Sequence, residues 1–286
     1  MAGRNIQRVI DSVATSDGAG VKLRRSVGAS EFLRHDPFLM LDEFYSDRPE
    51  DYIAGFPSHP HRGFETVTYM LDGHMRHEDS VGNRGDLGPG DVQWMRAARG
   101  IIHSEMPQQS EGRMRGFQLW INLSANEKMT DPGYRDIAAS DIPIARLDGG
   151  GSARVIAGTL EQASANTDGP VQGLTTDPLY LDVHLPAGKA FETCLTPGHN
   201  AFLYLYEGDA SVGADGQQLK RRSAGLLSDG DRVHVQATGS EARFLLLAGK
   251  PLGEPVVQYG PFVMNSREEI EQAVHDYQAG KLTLAQ

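Results

Sequence analysis

The stretch that decides the fold runs from Gly55 to Pro107. It opens G-F-P-S-H-P-H-R-G-F-E-T-V-T-Y-M-L-D-G over 55–73 and closes G-D-V-Q-W-M-R-A-A-R-G-I-I-H-S-E-M-P over 90–107. His59 and His61 are separated by one residue, and so are His103 and Glu105. In a β-strand, residues two apart point to the same face. Two such pairs on neighbouring strands would aim three imidazoles and a carboxylate at one point. That donor set suits a borderline divalent metal such as Fe, Ni, Cu, Mn or Zn. Four protein ligands on a six-coordinate ion leave two positions open, whereas a four-coordinate structural zinc site has none.

Glu65 is the rival carboxylate. It shares the strand parity of His59 and His61 unless Gly63 breaks the register, and as an acceptor it would fix the tautomer of a ligating imidazole. His74 and His77 follow the Asp72-Gly73 turn on opposite faces of a polar return strand and read as solvent-facing.

Working outward, the chain is a succession of short strands between Gly- and Asp-rich turns. Residues 6–13 and Val21 to Val27 read as opening strands, and Asp36 to Phe44 as a buried one. Thr66 to Leu71, Val92 to Met95 and Gly116 to Leu123 continue the series. The second half adds Ala153 to Ala157, Tyr180 to Leu185, Ala201 to Glu207 and Arg243 to Ala248. Strands at this spacing predict an all-β fold of sandwich or barrel type. Near the end, Ser266 is followed three residues later by Glu269, and Ile270, Ala273, Val274 and Tyr277 recur at helical spacing. A capped C-terminal helix ending at Gly280 is expected.

The polar segment 129–151 suggests a division into residues 1–140 and 141–286. The halves resemble each other: Thr66 to Gly73 matches Ala201 to Gly208, and Pro89 to Val92 matches Asp229 to Arg232. Carried across, this register puts Cys194 and Thr196 where the first half has His59 and His61. Arg243 and Leu245 fall at His103 and Glu105. The second copy therefore lacks the ligand set. His184, His199 and His234 have no ligand spacing and read as ordinary histidines.

The net charge of −11 argues against direct binding of nucleic-acid backbones. A single cysteine, Cys194, excludes an intrachain disulfide and a Cys-based zinc site. No signal-like or membrane-length apolar run is present, so the expectation is a cytoplasmic monomer without a membrane span. Phosphate-binding and nucleophile-elbow motifs are also missing from the chain.

The strings D-P-F-L-M-L-D-E-F (36–44), H-P-H-R-G-F-E (59–65), G-I-I-H-S-E-M-P (100–107) and G-P-F-V-M-N (260–265) resemble those of the pirin family of cupins. The resemblance implies two cupin, jelly-roll-type barrels in tandem. It also implies one mononuclear metal, usually iron, held in the first barrel by His59, His61, His103 and Glu105. This favours Glu105 over Glu65 as the ligand. Family members either open flavonols such as quercetin with dioxygen, releasing carbon monoxide, or regulate partner proteins such as transcription factors and metabolic enzymes. The expected activity is thus a quercetin 2,3-dioxygenase-type reaction on a flavonol-like substrate, with Phe44, Trp94 and Met95 as candidate apolar walls. The alternative is a metal- or redox-dependent regulator that binds a protein partner.

Overall fold

The computed structural model describes residues 2–284. It divides into two compact units, each contributed by three stretches of chain. One comprises Val13–Arg25, Phe38–Ala139 and Leu252–Gln286, and is called here the histidine unit. The other comprises Met1–Ser12, Ser26–Pro37 and Ser140–Pro251, and is called the apolar unit. A single cut at 140/141 captures the main body of each but not the ends. Ile6–Asp11 pairs with Ser223–Leu227 in the apolar unit, and the C-terminal helix packs in the histidine unit.

Each unit is a seven-stranded sheet with a four-stranded sheet, all of the pairings antiparallel. In the histidine unit the large sheet runs, in spatial order, Gly133–Ile137, Val92–Arg96, Phe64–Asp72, Met114–Asn122, Phe38–Ser46, Val21–Arg25, Val13–Asp17. The small sheet runs Phe56–His61, Ile101–Pro107, Met75–Asp79, Arg84–Leu87. The apolar unit repeats the plan. Asn200–Glu207 takes the place of Phe64–Asp72, as the first of the two sequence matches requires, and Ala190–Cys194, Arg232–Ala237 and Ala210–Val212 take the places of Phe56–His61, Ile101–Pro107 and Met75–Asp79.

The second sequence match does not hold. By sheet order, Val92–Arg96 corresponds to Ser223–Leu227, and it is Ile101–Pro107 that corresponds to Arg232–Ala237. Gly-Asp turns recur often enough to align by chance, so the register derived from them slips. The inward positions of the three equivalent strands are Phe191, Thr193, Val233, Val235, Ala237, Ala210 and Val212, all buried. None is a metal ligand. By sheet order it is these residues, and not Cys194, Thr196, Arg243 and Leu245, that occupy the equivalent inward positions.

The two interiors differ accordingly. The apolar unit is filled by one continuous cluster of buried hydrocarbon that includes Phe191, Val233, Val235, Leu203 and Leu246. In the histidine unit the apolar side chains gather in separate groups, such as Phe44, Met70, Met75 and Met114, or Leu39, Phe64 and Val263. Buried His61, His77, His103, Glu105, Thr68 and Gln93 belong to the same unit. Burying polar groups is costly unless they are paired with one another or with a ligand, so such an interior calls for a purpose.

The helix forms where the capping pattern predicts, over Arg267–Gln278. Ser266 Oγ accepts from the Glu269 amide at 3.2 Å, and Glu269 Oε2 accepts from the Ser266 amide at 2.9 Å. Gly280 follows with a φ of +68°, a left-handed residue just past the helix end. Ile270 and Ala273 bury against Phe262 and Met264.

Candidate metal centre

Phe56–His61 and Ile101–Pro107 pair antiparallel, with His59 opposite His103 and Ile101 opposite His61. Period-two alternation then turns His61, Ile101, His103 and Glu105 inward, each 5% exposed or less. The ring centroids of His59 and His103 are 4.3 Å apart, those of His61 and His103 4.8 Å, and those of His59 and His61 4.7 Å. One ligand atom from each of the three lies within 4.8 Å of the others.

The atom-level arrangement fits a cation. The Nδ1 of His59 is 2.8 Å from the Pro57 carbonyl, which assigns its proton to Nδ1 and leaves Nε2 as a lone pair. That Nε2 lies 3.0 Å from Nε2 of His61. Two nitrogens each about 2.1 Å from one ion, at right angles, are about 3.0 Å apart. Without a cation or a shared proton between them, two lone pairs at that spacing repel. His103 Nε2 is buried with no hydrogen-bond partner among the described residues. Burial above all, and then the neighbouring imidazoles, hold His61 and His103 well below the ordinary histidine pKa. Both are neutral at pH 7, the form that binds metal.

Glu105 is not among the residues whose ligand atoms cluster this tightly. Its Oε1 is 2.9 Å from Thr68 Oγ1, and that hydroxyl is also 2.5 Å from Oε1 of Gln118. One hydroxyl proton cannot serve two acceptors. The consistent assignment turns the Gln118 amide so that its NH2 donates to Thr68, which donates to the carboxylate. A register shift between His103 and Glu105 accompanies this displacement from the three imidazoles.

Glu65 plays a different part from the one its parity suggested. Its two oxygens accept from Arg96 Nε at 3.0 Å and Trp94 Nε1 at 3.1 Å, and among the described residues it meets no imidazole. Gly63, at a φ of +93°, turns the chain between the strands and resets the parity. A Cβ there would lie 1.9 Å from the Val263 carbonyl oxygen, so the corner admits only glycine. Thr68, an odd number of residues from Glu65 in the same strand, faces the site instead.

The proposed walls also change. Phe64 and Trp120 stack with centroids 4.2 Å apart and stand 5.0 and 5.3 Å from the His61 ring. Phe44 lies in a separate group with Met70 and Met114, Trp94 is engaged by Glu65, and Met95 packs with Ala97 and Ile101. His74 is exposed as expected, but His77 is fully buried against His103 and Tyr134. The signal for His77 was its parity with Met75, an apolar residue on the same strand face.

The corner after His61 is gripped from several directions. Arg62, 2% exposed, donates through Nε to the Arg99 carbonyl and through a terminal nitrogen to Asp276 Oδ2 at 2.8 Å. Lys128, 1% exposed, donates to the carbonyls of Gly63 and Val263 and to Asn122 Oδ1, at 2.6–3.0 Å.

Two copies of one two-sheet sandwich, with imidazoles gathered on the small sheet of a single copy, define a two-domain cupin. Residues 20–121 match the family model Pirin, and residues 180–283 match the Pirin C-terminal cupin domain. The chain belongs to the pirin family. A pirin-like protein of Caulobacter vibrioides is 51% identical over 98% of this chain and 100% of its own length. Human pirin is 42% identical over 93% of this chain and 89% of its own. Among solved structures, a quercetin 2,3-dioxygenase from Acinetobacter baumannii superposes with a TM-score of 0.88 at 34% identity. It covers 98% of this chain and 99% of that one. Among the described residues, no helix is long and apolar enough to cross a membrane.

Proposed function

We propose that the histidine unit is the active site of a metal-dependent dioxygenase of the quercetin 2,3-dioxygenase type. His59, His61 and His103 hold one divalent ion, taken to be iron, and Glu105 supplies the fourth ligand. The observation that carries this reading is the convergence of three imidazoles, two of them buried and held neutral, with Nε2 atoms of His59 and His61 at the spacing of adjacent ligands. The solved structure from Acinetobacter baumannii supports the choice of substrate class through its name.

A bound metal would supply Lewis acidity towards a flavonol hydroxyl and a meeting place for dioxygen. The protein's own contribution is orientation and exclusion of water. Trp120, half-buried and backed by the fully buried Phe64 on which it stacks, presents an aromatic face beside His61, matched to a flat aromatic substrate. Thr68 directs a hydroxyl at Glu105 and fixes the carboxylate's orientation. His59, the least buried of the three imidazoles, marks the side open to solvent.

The test is loss of quercetin absorbance in air by protein loaded in turn with iron, nickel, manganese and copper, with carbon monoxide measured as product. Oxygen-dependent turnover above metal-only controls is expected with at least one ion. No turnover with any of them overturns the proposal.

A further inference from the structure

We infer that His77 is a positioning residue for the metal centre: it accepts the Nδ1 proton of His103 and so holds that imidazole in the tautomer whose Nε2 is free to bind metal. This rests on reading the three imidazoles as a metal site.

His77 is 0% exposed, on Met75–Asp79, the strand that pairs with Ile101–Pro107 on the side away from His59 and His61. The register sets His77 directly opposite Glu105. Its Nδ1 is 3.5 Å from Nδ1 of His103, at the long edge of hydrogen bonding, with ring centroids 4.7 Å apart. The other side of the ring meets Tyr134 edge-on at 4.9 Å. Tyr134 is fixed in turn, because Gln93 Nε2 donates to its hydroxyl at 2.7 Å and lies 3.1 Å from Asp136 Oδ1. His77 is thus lodged between a ligand imidazole and an anchored phenol.

A contact between two neutral imidazole nitrogens requires one donor and one acceptor. Both Nε2 atoms, of His77 and of His103, are buried without a hydrogen-bond partner among the described residues. With His103 as donor, its Nε2 carries no proton, and His77 keeps its own proton on Nε2, with the Gln93 side chain as its neighbour. With His77 as donor, the proton of His103 would sit on Nε2, among the His59 and His61 rings, and block that atom as a ligand. The first assignment is the one a metal site requires. Ligating histidines ordinarily donate their second N–H to an acceptor that fixes their orientation. The chain also contains its own comparison. In the apolar unit the strand equivalent to Met75–Asp79 turns Ala210 and Val212 inward, facing Ala237 and Val235. Where the ligands are missing, so is the histidine.

The test uses metal-free protein labelled with 15N-histidine, in which long-range proton–nitrogen correlations report which nitrogen of His103 is protonated. Wild type is expected to show a proton on Nδ1 and a bare Nε2. His77→Phe keeps the ring packing but removes the acceptor. A large fraction of His103 should then move its proton to Nε2, and zinc affinity, measured by chelator competition, should fall by about 10–100-fold. His77→Gln returns an acceptor oxygen and should restore both. A wild-type His103 protonated on Nε2 overturns the inference, with or without a foldable variant. So does a folded His77→Phe that keeps wild-type tautomer and zinc affinity. If the tautomer shifts as expected while wild type itself binds no metal, the metal reading fails and the His77–His103 bond stands.

Discussion

Replacing Asp276 by Ala removes the carboxylate that Arg62 meets in a buried ion pair, 2.8 Å away, with side chains 2% and 6% exposed. Breaking one partner of a buried pair costs about 3–5 kcal/mol, because the remaining charge is left uncompensated. Arg62 keeps two other acceptors, the carbonyls of Arg99 and Leu282, which argues for the lower end, about 3 kcal/mol. Burial acts to raise the Asp276 pKa, but its bonds to Arg62 and Gln272 prevail and hold it below the ordinary carboxylate value. A depressed folded-state pKa means that the pair's contribution is present above the ordinary carboxylate range and is lost as pH falls through that depressed value. Both tryptophans, Trp94 and Trp120, lie in the histidine unit, so urea unfolding followed by their fluorescence reads this unit rather than the whole chain. Asp276→Ala should lower the midpoint at pH 7 and approach wild type under strong acid. The double variant Arg62→Met/Asp276→Leu should recover much of the loss. A cost below about 1 kcal/mol at pH 7 would refute the argument that this pair locks the C-terminal helix to the corner after His61.

Lys128 carries a second pH signature. Burial pushes its pKa down to about 8 from 10.5, so the unfolded chain holds this proton across a range where the folded protein does not. Stability of the histidine unit should rise with pH between about 8 and 10, by up to about 3 kcal/mol from this group, and Lys128→Met should abolish that rise in the same fluorescence experiment. Trp120→Leu should leave metal content unchanged but raise the KM for quercetin several-fold, since an aromatic stack contributes about 0.5–1.5 kcal/mol beyond area burial. Glu105→Gln should weaken metal binding measurably in a chelator titration, while Glu65→Gln should mainly lower the melting temperature.

The sequence carried the fold well because its signals were local. A capping box, Asp-Gly turns and alternating strands each depend on a few neighbouring residues, and the helix at Arg267–Gln278 followed directly from Ser266 and Glu269. The paired spacings of His59 with His61 and of His103 also anticipated the cluster, because strand parity is a local property. What went astray depended on register between distant strands. Glu65 has the right parity only if the chain runs straight through Gly63, and the corner there reverses it. His77 followed a turn in a polar segment, and nothing near it in the chain reveals that Tyr134 covers it. Tyr134 itself lies in the strand Gly133–Ile137, within a segment whose polar composition suggested a domain boundary. The exchange of terminal segments between the two units is likewise a long-range pairing that no composition change announces.

The central claim is that His59, His61 and His103 form a metal centre supporting oxygen-dependent chemistry. It is tested most directly by measuring the metal content of purified wild type beside His61→Ala, with the oxygen-dependent quercetin assay run on the same samples. The account predicts about one ion per chain in wild type, and loss of most of that metal and of turnover in the variant while its far-UV circular dichroism is kept. Full metal content in a folded His61→Ala would contradict it.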